Sequence, residues 1–199
     1  MCRLIETICV KDGELLHLSD HQERMDRSVF HLFGSRQAPD LEKHLKVPPE
    51  YRMGWIKCRV VYQHTIEEIS WQTYHLRPIA SIALVHDNLL DYSLKYENRS
   101  VFEKYIRTAQ TDDVIIVRDG YLTDTSYANI ILKSGSEWVT PSTPLLQGTQ
   151  RKRLIESHVI SEEPVRVTDL RKFEGLKYIN AMLDIASSPE MTLDTIRHL

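Results

Sequence analysis

No stretch of this 199-residue chain stays apolar for long enough to span a bilayer. Its opening, Met1-Cys2-Arg3-Leu4-Ile5-Glu6, lacks the charged-then-apolar plan of a secretory leader. A membrane role is therefore not expected, and a cytoplasmic location is. Positive charge is not in excess either. Lysines and arginines number 25 against 28 aspartates and glutamates, a formal net charge of −3, so nucleic acid is not the expected partner. Cysteine is scarce: Cys2, Cys9 and Cys58 are odd in number and scattered without metal-ligand spacing. That argues against a disulfide framework and a bound metal, and suits a reducing compartment. Cys9 and Cys58 lie in strand-like runs, where they read as small core residues. Internal repeats and low-complexity segments are missing too. What is left is an ordinary globular composition, 42% hydrophobic and 27% charged, on a chain long enough for one domain or two small ones.

Residues 4–10 read as a strand leading into an Asp12-Gly13 turn. Ser19 with Gln22 has the form of a capping box for a helix with Met25, Val29, Leu32 and Phe33 on its apolar face and Gly34 as its stop. A short helix is expected over 40–46. Runs rich in β-branched and aromatic residues at 56–62, 66–74 and 79–85 predict three strands. Together these predict a small α+β domain over 1–86, a connector over 87–95 and a larger domain over 96–199. In the larger domain a helix near 98–109 precedes two hairpins, which turn at Arg118-Asp119-Gly120 and at Ser134-Gly135. A helix near 150–158, strands near 164–167 and 177–182, and a short helix after Ser188-Pro189 complete the reading.

Five stretches carry candidate chemistry. Lys95 lies on the connector at the foot of a helix. A crowded ammonium is pushed towards its neutral form, and neutral amines attack carbonyls, so Lys95 is the candidate Schiff-base lysine against the plainer reading of a surface cation. In Gln147-Gly148-Thr149-Gln150-Arg151-Lys152-Arg153, a glycine and a threonine open a helix whose backbone N–H groups suit an anion. The three following cations oppose the helix dipole, and a bound phosphate would relieve them; otherwise they are solvated surface charges. Asp124, in the polar run 123–129, is either turn chemistry or a carboxylate at a sheet rim able to keep a pyridine nitrogen protonated. Arg24 on the early helix is a surface residue or a phosphate fork, and Asn180 closes an apolar strand as a strand-end residue or a second phosphate contact. An amine, a carboxylate, a guanidinium and a helix N-terminus are together what pyridoxal phosphate needs.

The arrangement resembles the class IV aminotransferases, the fold-type IV pyridoxal-phosphate enzymes. Five motifs in order carry the resemblance, from Leu4 to Met182: Glu6-Thr7 with Asp12-Gly13; His21-x-x-Arg24-Met25; Leu94-Lys95-x-x-Asn98-Arg99; Thr123-Asp124 with Asn129; and Gly148-Thr149-Gln150-Arg151. The resemblance implies a D-amino-acid-aminotransferase-like α+β fold, with an N-terminal α/β sandwich and a C-terminal β-barrel-like domain bearing helices. It implies pyridoxal 5'-phosphate bound by Lys95, Arg24, Asp124, Asn129, Gly148, Thr149, Gln150, Asn180 and Ala181. It also implies a small-molecule amine substrate and a homodimer. Three departures stand out. The chain begins at the first family strand, without the usual upstream strand; Asp124 replaces the usual Glu; and Tyr127 and Ala128 stand where small hydroxyl residues are usual. Asn98-Arg99 is more like the aminodeoxychorismate lyases than the branched-chain transaminases. A lyase making p-aminobenzoate and pyruvate is therefore the preferred expectation, followed by an amino-acid transaminase and then by a non-catalytic homologue that binds the cofactor. Arg59, on an alternating strand, and Arg77 are candidates for a substrate carboxylate, or are simply exposed arginines.

Overall fold

The computed structural model describes residues 2–197. The chain divides into two compact units, the first running to Leu76 and including Leu94–Asn98, the second comprising Arg77–Ser93 and the chain from Arg99 onward.

The first unit contains β1 (Leu4–Lys11), β2 (Glu14–Leu15), α1 (Leu18–Phe33), α2 (Leu41–His44), β3 (Trp55–Tyr62) and β4 (Ile66–Thr73). Its sheet has the order β2-β1-β3-β4 and is antiparallel throughout. Alternation decides which face is covered. Leu4, Ile8 and Val10 of β1 and Ile56, Cys58, Val60 and Tyr62 of β3 form one core with Met25 and Val29 of α1, making the expected α/β sandwich. Gly34 ends α1 in the left-handed region (φ 66), its N–H bonding to the Phe30 carbonyl at 2.9 Å.

The start of α1 differs from expectation. His17, in the left-handed region, occupies the cap without a side-chain bond, and Ser19 lies inside the helix. Gln22 is used otherwise: its amide donates to Asp26 and to the Pro39 carbonyl and accepts the Leu41 N–H, tying α1 to the head of α2. Leu94–Asn98 runs along the free edge of β1. The Ile5 N–H bonds to the Lys95 carbonyl and the Glu97 N–H to the Arg3 carbonyl, both at 2.9 Å.

The second unit contains β5 (Ile82–His86), α3 (Ser100–Ala109), β6 (Asp113–Arg118), β7 (Tyr121–Thr125), β8 (Asn129–Ser134), β9 (Glu137–Pro141), α4 (Thr149–Glu156), β10 (Ser161–Glu163), β11 (Gly175–Ile179) and β12 (Ile196–Arg197). They form two four-stranded sheets, β10-β9-β8-β11 and β12-β5-β6-β7. Both expected hairpins are present; the first turns through Asp119 and Gly120, both at positive φ. The strand expected to complete the first domain is β5, and it pairs instead in parallel with β6 of the second unit. Its Ile82-Ala83-Leu84 core is buried without alternation, the pattern of a parallel strand covered on both faces. The expected strand near 164–167 falls earlier, at β10, and a 3-10 turn follows over Val167–Lys172. In place of a helix after Pro189 there is a single 3-10 turn, Leu193–Thr195, and then β12. That strand pairs with β5 and buries Ile196. Among the described residues no helix is long and apolar enough to cross a membrane.

Candidate active site

Glu6 is the one charged residue on the α1-facing side of β1, and it is fully buried. His21 and Arg24, three residues apart on α1, share the helix face turned to that strand. Arg24 makes a two-pronged contact, Nε to Oε1 at 2.9 Å and Nη2 to Oε2 at 2.5 Å, and His21 Nδ1 meets Oε2 at 2.6 Å. Burial pushes the Glu6 carboxyl up, but the Arg24 charge and the hydrogen bonds from both partners outweigh it and hold the pKa at about 2. Burial lowers the pKa of His21 more than Glu6 raises it, so the imidazole is neutral; because the carboxylate can only accept, Nδ1 carries the proton. Lys95 lies near enough for its charge to add to that lowering. The first unit thus gathers Arg24, Lys95, Glu6 and His21. Arg59 projects from the opposite sheet face, where Nη2 bonds to Glu97 at 2.8 Å with Glu68 at 3.9 Å.

In the second unit the cluster is built where the chain turns from β7, in one sheet, into β8, in the other. Asp124, at 5% exposure, accepts from Asn129 Nδ2 at 2.7 Å on one oxygen and from the Leu146 N–H at 2.8 Å on the other. Asn129 Nδ2 also donates to the Leu146 carbonyl at 2.9 Å. Burial raises the Asp124 carboxyl to about 6; the Leu146 N–H, Asn129 and the Arg151 charge restrain the rise. Gly148 caps α4 in extended geometry, so a turn does not demand glycine there. Room does: a Cβ would lie 2.0 Å from Asn129 Oδ1. Thr149 and Gln150, both buried, form the first turn of α4.

The cations after them are matched by protein groups. Arg151 bonds to the Pro141 carbonyl, Gln147 and Glu162; Lys152 lies 3.8 Å from Glu156; and Arg153 bonds to Gln150. Ile179 pairs with Asn129 across β11 and β8, which brings Asn180 beside this cluster. The Asn180 Oδ1 accepts the Met182 and Leu183 N–H groups, closing a turn over Ala181. The Tyr127 ring packs edge-on against Tyr178 at 5.6 Å. Ser126, before it, is held through its carbonyl by Arg99 and through its N–H by the buried Asp113. Arg77, exposed, bonds to the Asp112 carbonyl.

The sequence reading missed the part played by Glu6 and by the Leu146 backbone. A lone carboxylate on the Leu4/Ile8/Val10 side of an apolar strand was the available signal for the first. The second has none, because it is a peptide group.

The family model for class IV amino-transferases matches residues 63–188. An uncharacterized protein of Haemophilus influenzae is 31% identical over 185 residues, spanning 92% of this chain and 98% of that one. A solved structure from Haemophilus somnus, described as a "putative 4-amino-4-deoxychorismate lyase", is 30% identical with a TM-score of 0.80, covering 93% of this chain and 98% of that one. A hypothetical aminotransferase of Mycobacterium tuberculosis, solved in a form bound to pyridoxal phosphate, has the same fold: TM-score 0.76 at 19% identity, over 95% of this chain and 79% of that one.

Proposed function

The chain belongs to the class IV aminotransferases, a family of pyridoxal-phosphate enzymes, and from that premise we propose that it acts on a small-molecule amine as an aminodeoxychorismate lyase, releasing p-aminobenzoate and pyruvate. The observation that carries the choice within the family is the 30% identity to the Haemophilus somnus protein along nearly the full length of both chains. Asn98-Arg99, the lyase-like pair, supports it.

The donor set fits pyridoxal 5'-phosphate. A buried carboxylate held only up to about 6 wants a cationic partner, which a protonated pyridine nitrogen would be. The Gly148 backbone, with no space for a Cβ, and the buried first turn of α4 suit a phosphate. In this reading Lys95 is the covalent anchor. Arg24 of the first unit would be a phosphate contact; in the second unit Asp124 would serve the ring nitrogen, Gly148, Thr149 and Gln150 the phosphate, and Asn129, Asn180 and Ala181 would be further cofactor contacts. When bound, the group supplies an electron sink for the pair of electrons left at the carbon beside the substrate nitrogen.

The chain's own residues do the rest. The Lys95 amine would serve as the general base that takes the proton from that carbon. The ring C–O bond would then break with its pair going to the enolpyruvyl oxygen, which takes up the proton lost from the ring and becomes pyruvate, leaving the ring aromatic. Asp124, already buried and oriented by Asn129 and the Leu146 N–H, would offer its negative charge to a protonated ring nitrogen without solvent having to reorganise. Arg24 enters the work with its fork fixed by Glu6 and with His21 neutral beside it, so the charge at this spot is set before any ligand arrives. Arg59 and Arg77, the candidates for the substrate carboxylate, each hold a protein partner that a substrate would displace. By family analogy the protein works as a homodimer.

Supplying aminodeoxychorismate and following p-aminobenzoate tests the proposal. Absence of product while amino acids convert the cofactor to its amine form would replace it with the second reading, a transaminase. A colourless protein that pyridoxal phosphate cannot reconstitute would leave a non-catalytic homologue.

A further inference from the structure

The proposed function treats Asp124 and the loop before α4 as two separate contacts, one for the ring and one for the phosphate. The hydrogen bonds join them. Asn129 uses its amide nitrogen twice, towards Asp124 at 2.7 Å and towards the Leu146 carbonyl at 2.9 Å. The N–H of the same Leu146 returns to the other oxygen of Asp124 at 2.8 Å. Carboxylate, carboxamide and peptide thus close a ring of three hydrogen bonds, and every donor in it is fixed, because an amide nitrogen and a peptide N–H cannot swap roles with their acceptors. On its other side Asn129 Oδ1 leaves Gly148 no room for a Cβ, so the carboxamide is also the wall against which the loop is set. Two residues after Leu146 the loop reaches Gly148, the cap of α4.

We propose that Asn129 is a positioning residue that locks the Asp124 carboxylate and the 146–148 loop into one rigid piece, so that the ring and the phosphate of the cofactor are seated together. It acts through Asp124 and Leu146 and need not touch the cofactor. The proposal rests on the pyridoxal-phosphate reading above. Arg151, itself held by Glu162, is among the charges whose field reaches Asp124 and lowers its pKa.

The test is equilibrium binding to the full-length protein of pyridoxal 5'-phosphate, of pyridoxal, and of inorganic phosphate as competitor, in wild type, Asn129→Ala and Asn129→Asp. Asn129→Ala should weaken both pyridoxal and inorganic phosphate, each by roughly tenfold to a hundredfold, the cost of losing a hydrogen bond to a charged group or leaving a buried acceptor unmet. Loss confined to pyridoxal, with phosphate competition at the wild-type level, would overturn the coupling, and so would no loss at all.

Asn129→Asp guards against a trivial folding defect. Two carboxyls this close share a proton, and the protonated one restores the donor to Asp124. Its affinity relative to wild type should therefore recover as pH is lowered and collapse as pH is raised. A ratio flat across pH would show that size, not donation, matters at position 129 and would defeat the proposal. Wild-type protein with no cofactor absorbance would defeat the pyridoxal-phosphate reading first, and this inference with it, before any variant is compared.

Discussion

Glu6 is fully buried, and its ionised form is sustained against that burial by Arg24 and His21. Glu6→Gln would leave the Arg24 guanidinium buried against a neutral amide, and breaking a buried pair in this way costs about 3–5 kcal/mol. Urea unfolding at neutral pH should register that loss. The pH dependence has a defined sign. The folded pKa of about 2 lies below the ordinary 4.5, so Glu6 contributes stability that is complete above pH 4.5 and disappears as pH falls towards 2. The total is on the order of 3 kcal/mol at about 1.4 kcal/mol per pH unit.

Asp124 has the opposite sign. Its folded pKa is raised from 3.8 to about 6, so its stabilising contribution is complete below pH 3.8 and is lost as pH rises through 6. Cofactor-free protein should therefore lose stability between pH 4 and 7 through this group. Asp124→Asn should remove that step from the difference in melting temperature across the range, and weaken the cofactor as well. Glu6 was legible in the sequence as a charge in an apolar strand, but its partners were not. The Leu4–Lys11 alternation says which face a side chain takes, while the pairing with Arg24 depends on where α1 crosses the strand.

At the scale of elements, α1 matters because it delivers His21 and Arg24 from one face while Met25 and Val29, both fully buried, bolt the helix to the sheet. Met25→Ala should cost about 2–5 kcal/mol by emptying a core site. Calorimetry would measure it, and pyridoxal-phosphate affinity should fall with it as Arg24 loses its footing. Helices and hairpins with strong local signals were readable: Gly34 ends α1 where a glycine stop is expected, and Asp119-Gly120 turns the hairpin of β6 and β7. The start of α1 was not, since Gln22 had a distant use in Pro39 and Leu41 that outweighed a local cap. The chain beyond 160 was least legible. β10 and β12 are three and two residues long and are defined by partners more than twenty and a hundred positions away; neither has a period of its own to read. Within the candidate site, Gly148 and Asp124 could be found by residue type, whereas their connection through Leu146 passes through a peptide group that every residue has.

At the scale of the whole molecule, the chain leaves the first unit at Leu76, returns for Leu94–Asn98, and leaves again. Those five residues bring the candidate lysine, pair with Leu4 and Ile5, and supply Glu97 to Arg59 and Arg3. A fragment ending at Leu76 should expose the β1 edge. Hydrogen exchange should find the Ile5 amide protected in the full chain and fast in the fragment, while the β1–β3 amides keep protection; equal protection of Ile5 in both would contradict the pairing.

The same return of the chain sets a schedule during synthesis. After Leu76 a further 22 residues must be made before Asn98 is reached. At a translation rate of about 5–20 residues per second that leaves the β1 edge without its neighbour for roughly 1–4 s, during which a strand as apolar as Leu4–Val10 is open to pairing with the wrong chain. The ribosome thus delivers the lysine and the strand's protection in the same five residues. A nascent chain stalled or cleaved before residue 94 lacks both the amine for the chemistry and the cover that keeps its opening strand from aggregating.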